Sequence, residues 1–138
     1  MKFTRNASAN WKGTGMEGSG TISTQSTTLD KAQLSFKTRF ADGVGTNPEE
    51  LLGAAHAGCF SMKLSFVLNE AGFTADNIDT VAKVTFEDGK ITTITLDLTA
   101  TVPGITEEQF QEAAKNAKEN CPISQALNSE IILDAKLA

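Results

Sequence analysis

The segment Thr46-Asn47-Pro48-Glu49-Glu50, followed by a long and nearly uncharged stretch, constrains this chain more than any other. Asn47 suits an N-cap, Pro48 suits the first helical position, and Glu50 stands three residues after the cap, where it can complete a capping box. The pattern predicts a helix to about Glu70, stopped by Ala71-Gly72. Apolar or small residues lie almost all round it as far as Lys63, which predicts a buried helix. Gly58 in its interior costs about 1 kcal/mol against alanine, which points to close packing or a steric reason at that position.

Strand patterns flank this helix. Phe3, Arg5, Ala7, Ala9 and Trp11 alternate with polar residues, a glycine-rich turn covers 13–20, and a second strand covers about 21–26. A third is predicted over 32–40, with Leu34, Phe36, Thr38 and Phe40 on one face and Arg39 on the other. After the helix come strands at 80–86 and 91–102, joined through the hairpin signal Asp88-Gly89. Ile94, Leu96, Leu98, Ala100 and Val102 form the buried face of the second of these. Thr106-Glu107-Glu108-Gln109 starts a helix to about Lys118, Pro122 opens a short one to about Asn128, and a strand at 131–137 follows. The order predicts the α+β class in one domain, 1–138.

The net charge of -5, with no basic run or stripe, argues against nucleic acid as a partner. Positive residues near Met1 precede no apolar region, so no leader is expected. No apolar run is read as approaching the ~18 residues that span a bilayer, so no membrane partner is expected. The expected location is a reducing cytoplasm, where two cysteines are more often free, catalytic or metal-bound than a permanent staple.

Cys59 and Cys121 are the only cysteines. Cys59 lies in the apolar stretch 54–62. It reads either as a small buried hydrophobe or as a nucleophile, and the second role needs a cation to offset burial of the thiolate. Cys121 precedes Pro122 at a predicted helix start, where free N–H groups favour a thiolate. A two-cysteine redox pair is one reading; two inert thiols in a binding protein is another. Arg39 is the candidate cation, although strand alternation directs it to solvent unless a second subunit covers it. Glu50 lies nine residues before Cys59, half a turn out of phase and ~13.5 Å away along the helix, so the two cannot meet within one chain. His56 shares a face with Cys59, as in a Cys–His hydrolase, but lacks a third group to orient it, and a packed, hydrogen-bonded histidine is the simpler reading. A zinc site from His56, Cys59 and Cys121 lacks a fourth ligand.

The motifs Thr38-Arg39-Phe40, Gly45-Thr46-Asn47-Pro48-Glu49-Glu50-Leu51, Ala54-Ala55-His56-Ala57-Gly58-Cys59-Phe60-Ser61-Met62 and Asn120-Cys121-Pro122-Ile123-Ser124, in this order, closely resemble the OsmC branch of the OsmC/Ohr family. Ala71-Gly72-Phe73 and Val102-Pro103-Gly104-Ile105 also fit, so the resemblance extends over essentially the whole chain. It implies an OsmC-like fold, with antiparallel sheets packed around long buried central helices in an intertwined homodimer, and two sites at the subunit interface. It implies a thiol peroxidase that reduces small organic hydroperoxides, and hydrogen peroxide more weakly, in oxidative or osmotic stress defence. Cys59 matches the peroxidatic cysteine and Cys121 the resolving one, giving a Cys59–Cys121 disulfide. Arg39 and Glu50 match the activating arginine and glutamate. The resemblance implies no metal or organic cofactor, and an external dithiol, lipoyl-type or lipoylated, as reductant. Gly58 departs from the alanine expected before the cysteine. Phe60 and Phe66 are candidates for an apolar substrate pocket. A thiol-based redox sensor and a non-catalytic binding protein are the competing readings.

Overall fold

A computed structural model describes all residues, Met1–Ala138. The chain divides into two compact units, Met1–Leu51 and Leu52–Ala138.

The first unit is an antiparallel meander of β1 (Ala7–Lys12), β2 (Ser19–Thr24) and β3 (Ala32–Ser35). Pairing runs from Ala7 opposite Thr24 to Lys12 opposite Ser19, and from Ser19 opposite Ser35 to Ile22 opposite Ala32. The strand expected to reach Phe40 ends at Ser35, and the helix α1 (Phe36–Phe40) takes over. The reason is a reciprocal cap. The Thr38 N–H donates to the Ser35 hydroxyl at 3.2 Å, and the Ser35 N–H donates to the Thr38 hydroxyl at 2.8 Å. Alternation of apolar residues alone does not reveal this local competition.

The chain then turns back on β3, where the Thr46 N–H donates to the Gln33 carbonyl at 2.8 Å. Gly45 makes the turn with φ +138°, and a β-carbon there would collide with the Gln33 carbonyl oxygen. The helix α2 (Pro48–Glu70) starts at Asn47-Pro48 as expected, but the Glu50 carboxylate accepts from the Thr46 hydroxyl instead of completing a capping box. The Glu50 N–H donates to Asn47 Oδ1 at 2.8 Å, while Asn47 Nδ2 donates to the Thr38 carbonyl at 3.0 Å. One asparagine thus caps α2 and ties it to α1.

In the second unit α2 continues, followed by β4 (Asn77–Glu87), β5 (Lys90–Thr101), α3 (Glu107–Asn120), α4 (Pro122–Ala126) and β6 (Glu130–Leu137). Strand order is β4-β5-β6. Asp88 and Gly89 both take positive φ, 49° and 79°, as a tight two-residue hairpin between β4 and β5 requires. The β5–β6 pair is parallel, which corrects the expectation of purely antiparallel sheets. The connection through α3 and α4 supplies the crossover that a parallel pair needs. Thr106 and Gln109 form the reciprocal capping box that starts α3.

The core holds Phe60, Leu64 and Leu68 from α2, Ile94, Leu96, Leu98 and Ala100 from β5, and Phe110, Ala114 and Ala117 from α3, with Cys121 among them. Each large side chain buried in this way contributes about 1.5–3 kcal/mol. On α2 the buried stripe is Gly53, His56, Phe60, Leu64 and Leu68, at the spacing of one helix face. The opposite face is apolar yet uncovered by this chain: Met62 is 65% and Phe66 59% exposed. Two expectations are thereby corrected. The helix is not buried all round, and its mean hydropathy of 1.4 over an 18-residue window makes it long and apolar enough, by length and composition, to cross a membrane. Its inner stripe nonetheless packs into a protein core. Gly58 lies on the uncovered face, where a β-carbon would meet nothing within 4 Å, so no neighbour within the chain accounts for a glycine there.

Gly45→Ala should destabilise the chain by about 2–4 kcal/mol, through strain at positive φ and loss of the turn onto β3. Chemical denaturation measures this; an unchanged midpoint contradicts the role given to Gly45.

Candidate active site

The two cysteines meet. Cys59, half-buried on α2, and Cys121, fully buried between α3 and α4, are free thiols with their sulfurs 3.0 Å apart, the Cys121 thiol donating to Cys59 Sγ. They are 62 residues apart in sequence. Cys121 occupies the N-cap of α4 as expected, but its sulfur makes no cap hydrogen bond and turns to Cys59 instead. A backbone hydrogen bond at the start of α4, from Ile123, goes to Cys59.

Burial pushes the Cys59 thiol above its ordinary value, and the hydrogen bond and charge of Cys121 push the same way. The Ile123 hydrogen bond and the charge of Lys63 pull it down. Lys63 is four residues beyond Cys59 on α2, and hence on its face. Lys63 is not among the cations expected from sequence for Cys59, although its i, i+4 spacing is a signal for it.

Arg39 lies on α1, not on the outer face of a strand. Its guanidinium grips Glu49 as a fork, with Nε 3.0 Å and one terminal nitrogen 2.8 Å from Oε1. At 37% exposure of the arginine, such a pair contributes at most about 1 kcal/mol to stability, so its value lies in orientation. Within one chain the carboxylate that Arg39 grips is thus Glu49, the neighbour of the expected Glu50. Glu50 is engaged elsewhere: its carboxylate accepts from the Thr46 hydroxyl at 2.6 Å. Adjacent positions on a helix point about 100° apart, and the two glutamates here have different partners.

Arg39 also borders a cleft of about 280 Å³ walled by Trp11, Leu34, Phe36, Phe40 and Pro48. These aromatic residues were not singled out from sequence. The two that were lie elsewhere: Phe60 is wholly in the core and Phe66 on the uncovered face of α2. His56 is packed and hydrogen-bonded, its Nε2 2.6 Å from the Ser124 hydroxyl. No group of three or more His, Cys, Asp or Glu side chains converges in the chain.

The OsmC-like protein family model matches residues 41–136, the stretch that holds both cysteines and both glutamates. The chain belongs to the OsmC-like family. It is 46% identical to the Peroxiredoxin OsmC of Escherichia coli strain K12, over 99% of each chain. It is 29% identical to an organic hydroperoxide resistance protein-like protein of Staphylococcus aureus strain USA300, over 68% of this chain and 70% of that one. Among solved structures it resembles the organic hydroperoxide resistance protein OhrB of Bacillus subtilis, with a TM-score of 0.70 and 27% identity, covering 99% of this chain and 98% of that one. The mixed α+β architecture of two small sheets with helices is thus that of the OsmC-like family.

Burial holds His56, the only histidine, below its ordinary value of 6.5. The unfolded chain binds the proton more readily, so stability is present above about pH 6.5 and falls as pH drops below it. Thermal unfolding between about pH 7.5 and 5.5 should show a smaller loss of Tm in His56→Gln than in the parent. Equal losses would contradict a buried neutral imidazole.

Proposed function

We propose that this OsmC-like protein is a cysteine-based peroxidase that reduces organic hydroperoxides to alcohols in stress defence. The observation that carries the reading is the approach of two free thiols to 3.0 Å. Membership of the family supports it, as does 46% identity along the whole chain to a peroxiredoxin.

The Cys59 thiolate attacks the peroxide oxygen distal to the organic group. The O–O bond breaks, the alkoxide leaves and takes a proton, and Cys59 becomes a sulfenic acid. Cys121 condenses with it to a disulfide and releases water. An external dithiol, of lipoyl type, returns two electrons by exchange. Sulfur carries all the electrons, so the cycle calls for no metal or organic cofactor.

Arg39 is the group that meets the peroxide and offsets burial of the thiolate, and Glu49, rather than Glu50, holds its guanidinium. An apolar cleft beside Arg39 suits a hydroperoxide with an organic tail: the guanidinium takes the polar end, and Trp11, Phe36 and Phe40 take the apolar one. That favours organic hydroperoxides over hydrogen peroxide. Glu49 is ten residues before Cys59 on one helix, an axial rise of about 15 Å, so its arginine serves the thiol of a second copy. The uncovered apolar face of α2 supports such a homodimer. Residues 1–138 act as one OsmC-like domain, in the cytoplasm, where dithiol reductants are available.

Cys121→Ser should consume one equivalent of cumene hydroperoxide and stop at a sulfenic acid that dimedone captures. Full dithiol-driven turnover by this variant would remove Cys121 from the cycle. Glu49→Gln should lower kcat/KM for the peroxide by about 10- to 100-fold, and Glu50→Gln by much less. The reverse order would return the role to Glu50.

A further inference from the structure

Two matched pairs of side chains join α2 to α4. His56 and Cys59 are three residues apart on α2, and Cys121 and Ser124 are three apart at the start of α4. Such pairs share a helix face. Cys59 meets Cys121 at 3.0 Å, and His56 Nε2 meets Ser124 Oγ at 2.6 Å. The two contacts form antiparallel rungs one helical turn apart.

The second rung has a burden that the first does not. α4 has five residues, none of them fully buried, and no side-chain cap bond at its start. A helix of that length has no stability of its own, so contacts set its position. His56 is wholly buried, and its Nδ1 has no hydrogen-bond partner. Ser124 is then the partner of the imidazole's other nitrogen, and withdrawing it would leave a buried ring with no polar contact.

We propose that the His56–Ser124 hydrogen bond is a positioning device for the resolving step, holding α4 in register on α2 so that Cys121 stays within reach of the Cys59 sulfenic acid. The inference rests on the two-cysteine cycle proposed above. In that step the Cys121 sulfur attacks the Cys59 sulfur, the S–S bond forms and the S–O bond breaks. The hydroxyl leaves as water with the proton of the Cys121 thiol, and no further oxidant is needed. A disulfide needs sulfurs about 2.05 Å apart, so the thiols have about 1 Å to close provided α4 does not drift. Peroxide attack depends on the rung much less. Loosening α4 withdraws both the Ile123 hydrogen bond that favours the Cys59 thiolate and the Cys121 contact that disfavours it.

The experiment is a single turnover with one equivalent of cumene hydroperoxide on the parent, Ser124→Ala, Ser124→Thr and His56→Gln. Alcohol release reports the first step; loss of dimedone-reactive sulfenic acid and gain of the cross-linked peptide report the second. Ser124→Ala should slow disulfide formation by about tenfold or more, while alcohol release changes less than about threefold. Ser124→Thr, which keeps the hydroxyl, should restore the rate, and His56→Gln, which keeps a polar atom near Nε2, should restore part of it. Disulfide formation by Ser124→Ala at the parental rate overturns the proposal. So does equal slowing of both steps, which would mark a general structural defect. A parent that releases alcohol but forms no Cys59–Cys121 disulfide overturns the resolving step and the proposal together, and one that releases no alcohol overturns the peroxidase reading itself.

Discussion

The contact between Cys59 and Cys121 is the constraint on which the site depends. It places one sulfur from a core helix against another at a helix junction, deep enough that Cys121 has no exposure at all. Several elements converge to make it. The buried stripe of α2 docks on β5 and α3, the C-terminus of α3 delivers Cys121, and Pro122 turns the chain into α4. The same connection through α3 and α4 carries the crossover that the parallel β5–β6 pair needs.

That burial sets an electrostatic problem. A thiol is a nucleophile only as thiolate, and removing water opposes the charge. Lys63 and the Ile123 backbone offset part of the penalty at Cys59. The Arg39–Glu49 fork, with contacts of 2.8–3.0 Å, fixes the direction of the guanidinium on α1. The Asn47 cap ties α1 to the start of α2, and the Arg39–Glu49 contact joins the same two helices.

Much of this was legible in the sequence because the signals were local. The Asn47-Pro48 helix start, the Asp88-Gly89 hairpin, the alternating buried face of β5 and the Thr106–Gln109 cap each depend on a few neighbouring residues. The failures had competing local or non-local causes. Apolar alternation over 32–40 concealed the Ser35–Thr38 cap that ends β3. Glu49 and Glu50 are adjacent and chemically identical, and only their tertiary contacts, Glu49 with Arg39 and Glu50 with Thr46, separate them. The His56–Ser124 bond joins residues 68 apart, and the aromatic cleft gathers residues from β1, β3 and α1. No periodicity reports such pairings, because tertiary packing creates them. The apolar surround of α2 is visible in the sequence, but its division into a face packed in the core and a face this chain leaves uncovered is not.

The most direct test of the account is a thiol count by mass spectrometry before and after one equivalent of cumene hydroperoxide. The account predicts loss of two thiols per chain, a cross-linked peptide joining Cys59 to Cys121, and one equivalent of cumyl alcohol. Two thiols left intact, with the peroxide unconsumed, would contradict it and favour a binding protein with inert cysteines.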